Sequence, residues 1–263
     1  MQPPENQGIR IKGVTHRFRA DERLIVEAIS LDVREGEFVS IVGPSGCGKS
    51  TLLRMVAGLL KPSEGEIVVG CGSERSPAGA RIGFVFQQAA LLPWRTAWQN
   101  LVLPFELGPT DVRQGIPSES QIFEVIRRVG LRREDVHKRP RELSGGMRMR
   151  LSLARAILQN PAILLLDEPL AAVDDILRVQ LQEDLAGLHF ERRLTSMLVT
   201  HHLHEAIFLS DRVIVLSGSP GRQLGELRVD EPHPRRSEFR RSEAFFRLTN
   251  ELSSILQDGG AER

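Results

Sequence analysis

Residues Gly43 to Ser50 read Gly-Pro-Ser-Gly-Cys-Gly-Lys-Ser, and the apolar run Glu37 to Val42 leads straight into them. The spacing is G-x-x-x-x-G-K-[ST], which requires a strand before it and a helix after it. Ser50 to Leu60 supplies a helical pattern, with Gly58 near its end. Glycines let the backbone curl until its N–H groups point inward at phosphate oxygens. The positive end of the following helix adds to that field. In such a loop, Gly43, Pro44, Ser45, Gly46, Cys47, Gly48, Lys49, Ser50 and Thr51 line a phosphate cradle. Lys49 neutralises the β- and γ-phosphates, and the Ser50 hydroxyl faces Mg2+. A plain strand–helix turn would not need Lys-Ser after its last glycine. Cys47 inside the loop has two readings: a thiol activated by the helix N-terminus, or simply a small residue that fits.

The rest of the chain alternates apolar runs with helical patterns, as an α/β protein does. Ile82 to Phe86, Ala162 to Leu166, Ser196 to Thr200 and Arg212 to Leu216 read as further short strands. Helical segments separate most of them, so a largely parallel sheet is expected. From about Trp94 to Asn160 the patterning is helical and charged, which suggests a helical subdomain inserted into the sheet domain. Within it, Ile122, Val125, Ile126 and Val129 share one face. Pro104 to Pro117 reads as a surface loop. Pro232-His233-Pro234-Arg235-Arg236 opens a basic connector, and Phe246, Leu248, Leu252, Ile255 and Leu256 then recur at helical spacing. This tail reads as a helix packed on the domain with its arginines in water; a lipid or regulatory contact is the alternative.

The chain is long enough, at 263 residues and 41% apolar, to bury a sizeable core. Its net charge of +1 argues against bulk attraction to nucleic acid. Two cysteines, Cys47 and Cys71, outside any CxxC pair fit a reducing compartment. The N-terminus lacks an apolar signal core, and no run approaches the roughly 18 apolar residues of a membrane span. A cytoplasmic protein is expected, one that meets a membrane only through a partner.

Two further stretches carry chemistry. Ile163 to Leu166 is an aliphatic strand ending in Asp167-Glu168-Pro169. In a chain with a phosphate loop, Asp167 is placed to hold Mg2+, and Glu168 to orient and deprotonate the attacking water. Leu143-Ser144-Gly145-Gly146-Met147 precedes a helix from Arg148 to Leu158. Ser144 suits an N-cap, so an ordinary capped helix is one reading. Paired glycines at a helix start are costly, however, unless the amides must approach a ligand closely. Two glycine-rich anion sites so far apart suggest one site built from two copies of the protein.

Together these motifs resemble the ATP-binding subunit of ABC transporters, over roughly residues 8–230. Gly43 to Thr51 resembles the family's Walker A motif, Leu143 to Met147 its signature motif, and Ile163 to Pro169 its Walker B motif. Gln87, in Phe84-Val85-Phe86-Gln87-Gln88, resembles the Q-loop glutamine. Ala171-Ala172-Val173-Asp174 resembles the D-loop, and Thr200-His201 the switch histidine. Phe18 stands where an aromatic residue stacks on adenine, although it could be a core aromatic. Leu91-Leu92-Pro93-Trp94, Glu205-Ala206 with Leu209-Ser210-Asp211-Arg212, and Pro220-Gly221-Arg222 resemble the importers of nitrate, sulfonates and taurine. The chain departs from the family pattern at Met149 (usually glutamine), His202 (usually aspartate) and Ala171 (usually serine).

The resemblance implies a P-loop α/β ATPase core with an inserted helical subdomain and a short C-terminal helical tail. It divides the chain into an ABC-type domain over 1–231, with the subdomain at about 94–160, and a connector and helix over 232–263. ATP and Mg2+ are the implied cofactors. Glu168, His201 and Gln87 are the catalytic candidates, with Ser50, Gln87 and Asp167 at the metal. Ser144, Gly145 and Gly146 are expected to reach the nucleotide of a second subunit, in a homodimer. The implied partners are permease subunits and, indirectly, a solute-binding protein, at the cytoplasmic face of the cell membrane, with no nucleic acid. His201, His202, His204 and Glu205 match no familiar metal spacing, and His202 and His204 are expected to be exposed. The rival functions are an ABC-type ATPase in DNA repair or translation, a small-molecule kinase, and a non-hydrolysing binding module.

Overall fold

The computed structural model describes residues 7–18, 23–70, 82–108, 115–171 and 173–258. Cys71, Pro109 and Ala172 lie outside the described residues. Among the described residues, nine strands form two sheets. The larger has the order β5-β6-β7-β3-β8-β9. Its strands are β3 (Phe38–Val42), β5 (Ile82–Val85), β6 (Ile163–Asp167), β7 (Thr195–Val199), β8 (Arg212–Leu216) and β9 (Gln223–Arg228). The first five in that order run parallel, and β9 closes the edge antiparallel to β8. The smaller sheet is antiparallel, in the order β2-β1-β4, from β1 (Gln7–Arg17), β2 (Leu24–Arg34) and β4 (Glu64–Val69). The expected sheet is therefore only part of the β-structure. Residues such as Arg10, Lys12 and Asp32 interrupt the apolar signal of this second layer.

Alternation across the central strands sorts side chains into two cores. Val39, Ile41, Ile163, Leu165, Met197 and Val199 face the small sheet, and the helix α1 (Lys49–Val56) fills the space between the sheets with Leu52, Leu53 and Val56. Phe38, Val42, Leu164, Leu166 and Leu198 face the other way, toward the remaining helices. These are α2 (Ala97–Leu107), α3 (Glu119–Arg128), α4 (Gly145–Leu158), α5 (Asp175–Arg192), α6 (Leu203–Leu209) and α7 (Glu243–Asp258). Because both faces of β3, β6 and β7 are covered, all three are buried end to end. No strand lies among the described residues between β5 and β6.

Four local expectations need correction. Pro104 is not the start of a loop but lies inside α2. A Thr96 capping box and the burial of Ala97, Leu101 and Phe105 along one face hold that helix despite the lost backbone donor. The signature helix begins at Gly145, not Arg148. In the tail, Phe245 is buried and Phe246 is exposed. Arg235 of the connector is buried, not solvated: its guanidinium donates to the carbonyls of Ile207, Phe208, Ser210, Val229 and Glu231. It thereby caps the C-terminal end of α6, whose last carbonyls have no partner within the helix.

Candidate active site

Four neighbouring strands, β5, β6, β7 and β3, run parallel and end on the same edge of the sheet. Gln87 follows β5, Asp167 and Glu168 close β6, Thr200 and His201 follow β7, and Gly43 follows β3. Residues far apart in sequence therefore meet at the carboxyl end of a parallel sheet, where ligands bind in open α/β folds.

At β3, Gly46 and Gly48 take φ values of 81° and 95°, which L side chains rarely adopt. Gly48 caps α1 without a side-chain cap, so no side chain competes for the first amides of the helix. Lys49 Nζ donates to the carbonyls of Gly43 at 2.7 Å and Pro44 at 2.9 Å, which folds the ammonium back over its own loop. Pro44, Ser45 and Gly46 are exposed, and Ser50 and Thr51 are half-buried. Cys47 is fully buried, and that burial pushes its thiol up, against the opposing pull of Lys49. Of the two readings of Cys47, activation by the helix N-terminus is outweighed by desolvation, which leaves the small residue that fits.

A residue that sequence reasoning used only as a family marker supports this loop from behind. A Cβ on Gly221 would stand 2.1 Å from the Cys47 carbonyl oxygen. Gly221 N donates to Ile25 O and Gly221 O accepts from Glu27 N, so the segment is threaded between β2 and the loop. Pro-Gly signals a turn in sequence, but nothing in the sequence says what that turn rests against.

Ser50 Oγ donates to Asp167 Oδ1 at 2.6 Å. Asp167 is fully buried, and its Oδ2 makes no hydrogen bond. Burial raises the pKa of this carboxyl, while the Ser50 hydrogen bond and the Arg54 charge oppose the rise. A hydroxyl beside a carboxylate oxygen with no partner is an oxygen donor pair that suits a hard divalent cation.

Glu168 has φ of 46°, a left-handed backbone held by its N–H donating to Val199 O at 2.9 Å. Its Oε2 lies 3.2 Å from His201 Nδ1 and 3.5 Å from Gln87 Nε2. The three catalytic candidates thus meet at one carboxylate. Glu205, which in sequence is only a family marker beside three histidines, supports this group. Thr200 hydrogen-bonds to Glu205 and also accepts from His202 N–H, which fixes the turn carrying His201. His202 is half-buried against the His201 ring, contrary to its expected exposure, with centroids 4.1 Å apart. His204 is exposed.

Ser144 caps α4 by accepting from Met147 N–H at 3.2 Å. Ser144 and Gly145 are exposed, and Gly146 is half-buried. A Cβ on Gly145 would meet no atom closer than 3.9 Å, so packing within the chain does not require glycine there. Among the described residues no hydrogen bond joins this corner to Lys49, Ser50 or Glu168. Met149, at the usual glutamine position, is buried in the core. Phe18, at the end of β1, is 58% exposed and so is not a core aromatic.

The ABC transporter family profile matches residues 26–171. The chain is 43% identical over 236 residues to the nitrate import ATP-binding protein NrtC of Synechococcus elongatus, covering 89% of this chain but 35% of that protein. It is 41% identical to the aliphatic sulfonates import ATP-binding protein SsuB of Bacillus licheniformis, covering 80% of each. Among solved structures it resembles the dimeric post-hydrolysis state of an ATP-binding cassette bound to ADP and Pi. There the TM-score is 0.72 at 30% identity, over 85% of this chain and all of that one. Fold, strand-end geometry and sequence likeness agree that the chain belongs to the ABC transporter family, as one of its ATPase cassettes.

Proposed function

We propose that two copies of this chain sandwich two ATP molecules and power import of a small anion, of the nitrate or sulfonate type, through a membrane permease. The observation that carries the reading is a site in two halves. Glu168, Gln87 and His201 converge beside the Ser50–Asp167 pair, while Ser144 and Gly145 stand exposed, with Ser144 bonded only to its own helix start. In the proposed dimer, the amides at Ser144, Gly145 and Gly146 of one copy bind the γ-phosphate held by Lys49 of the other. Phe18, at the outer end of β1, stacks on adenine.

Ser50 Oγ and Asp167 would hold Mg2+, which supplies charge neutralisation at the β- and γ-phosphates. Glu168 takes the proton from the attacking water. His201 Nδ1 and Gln87 Nε2 orient Glu168 and the water. His201 also donates toward the γ-phosphate, an interaction that strengthens as charge builds there. The γ-phosphate bridges both copies, so its loss removes the contact that closes them.

The solute class rests on the nitrate and sulfonate relatives. In this reading the helical region at about 94–160 forms a subdomain of an ATPase domain spanning 1–231, and 232–263 is its tail. The permease docks near Gln87, where Trp94 is 69% exposed. Asn100 fastens that loop by accepting from Leu92 N–H and donating to the carbonyls of Leu92, Arg95 and Thr96. The complex sits at the cytoplasmic face of the cell membrane, with a solute-binding protein on the far side. No helix among the described residues is long and apolar enough to cross a membrane.

Glu168→Gln tests the core of the reading. It keeps the side chain's size and removes the base. With ATP and Mg2+, hydrolysis is expected to fall by about 10² or more, and light scattering should show a dimer that persists. Near-normal turnover would overturn the base assignment. A Glu168→Gln chain that stays monomeric with ATP, even with permease subunits supplied, would overturn the sandwich.

A further inference from the structure

We propose a metal site, distinct from the nucleotide site, formed by His189, Asp211 and His233. One donor atom from each residue lies within 4.8 Å of the other two, and among the described residues this is the group of three metal-type donors that converges. They come from separate parts of the chain: His189 from the last turn of α5, Asp211 from the residue before β8, and His233 from the connector. Two imidazoles and one carboxylate are a donor set that Zn2+ takes with a fourth position left to water.

His233 points to a ligand independently of the cluster. Its side chain is 9% exposed, and neither ring nitrogen makes a hydrogen bond. Nε2 is 3.3 Å from Asp211 Oδ1, an ion-pair distance, and against the upward push of burial this contact helps hold the Asp211 carboxyl below its usual range. A buried imidazole whose Nδ1 has no partner and whose Nε2 meets only the Asp211 carboxylate has given up water that it has not fully replaced. A metal ion replaces that loss.

The other two ligands are already oriented. Asp211 Oδ2 accepts from Phe38 N–H at 2.8 Å, so Oδ1 remains for the ion. Ser196 Oγ lies 3.3 Å from His189 Nδ1 and is placed to fix that ring, whose edge also packs on Phe38. Such outer contacts set the orientation of metal ligands. Arg235 is a cation whose charge is felt at His189, but its guanidinium is engaged by the five carbonyls described above. The Asp211 side chain is 37% exposed, which leaves water a way to a fourth position.

Tetrahedral zinc with bonds of about 2.0–2.2 Å spaces its ligand atoms by roughly 3.4 Å. Closing from at most 4.8 Å therefore takes a movement of up to about 1.4 Å, and His233 on the connector is the ligand able to make it. The ion would clip the connector, and with it α7, onto α5 and the sheet edge. The inference does not depend on the solute or on ATP turnover.

The test uses the full chain, free of nucleotide and Mg2+, with Co2+ and Zn2+ alone as probes. The expected result is one Co2+ per chain with the strong visible absorption of a four-coordinate ion, displaced by Zn2+. The imidazole 15N resonances of two histidines should shift on Zn2+ addition to the wild-type chain. His233→Ala and His233→Gln should each weaken Zn2+ binding by about tenfold or more, whereas Cys47→Ser and Asp167→Asn should leave it in place. No saturable binding, a weakly absorbing six-coordinate Co2+ spectrum, or binding unchanged in both His233 variants would overturn the site.

Discussion

A carboxyl group sealed from water is held neutral more readily than charged, and Glu205 illustrates the consequence. Burial pushes its pKa up to about 7 from an ordinary 4.5, with the Thr200 hydrogen bond and the Arg178 charge opposing. Arg240 also faces it across the tail contact, and Glu168 adds a like charge. The folded chain therefore keeps a proton that the unfolded chain releases near pH 4.5. Stability from this group is fully present below about pH 4.5 and is lost as pH rises through about 7. The gap corresponds to roughly 3 kcal/mol. Glu205→Gln keeps an acceptor for Thr200 and removes the titration. Urea unfolding of this variant should show a smaller fall in stability between pH 5 and 8 than the wild type; an identical slope would show that Glu205 does not titrate there. Gly221 sets a second limit at this scale. Gly221→Ala puts a methyl carbon on the Cys47 carbonyl, so the phosphate loop must shift. ATP affinity should drop at least about tenfold while circular dichroism stays native. Unchanged ATP affinity would mean the loop tolerates the displacement.

Arg235 exerts its effect through an element. Five carbonyls, three of them from Ile207, Phe208 and Ser210 at the end of α6, depend on one guanidinium. Arg235→Leu leaves them buried and unpaired, at a cost of roughly 3 kcal/mol. Because α6 follows the turn bearing His201, thermal unfolding should move down, and hydrogen exchange should rise first in residues 203–210. Exchange that rises uniformly would argue against a local cap. This arginine also marks where sequence reading stops. β3, β6 and β7 are legible because both faces are buried and every residue from Ile163 to Leu166 is aliphatic. The small sheet is not, because residues such as Lys12 and Arg10 face water and register shifts in β1 break the alternation. Pro104 reads as a breaker because the packing that rescues α2 is non-local. Arg235 reads as solvated because charge alone does not reveal five waiting carbonyls. The strand-end residues Asp167, Glu168, Gln87 and His201 were legible as motifs; that they meet at one carboxylate follows from the strand order β5-β6-β7-β3, which no local pattern encodes.

At the scale of the whole molecule, the two glycine-rich helix starts present different surfaces. α1 begins in a loop braced by Gly221 and β2, whereas α4 begins at Ser144 and Gly145, exposed and free of packing demands. A glycine kept where a side chain would fit is best explained by something outside the chain that must come close. That makes the surface around Ser144 a sensitive place to disturb assembly without disturbing folding. Ser144→Arg replaces the hydroxyl cap of α4, at about 1 kcal/mol, and places a long side chain where the second copy's nucleotide would lie. Thermal stability should fall only slightly, and ATP binding to the isolated chain should be unchanged, since Lys49, Ser50 and Asp167 are untouched. Combined with Glu168→Gln, it should abolish the ATP-dependent dimer in light scattering. A double variant that still dimerises with ATP would place the shared phosphate elsewhere and leave α4 as an ordinary capped helix.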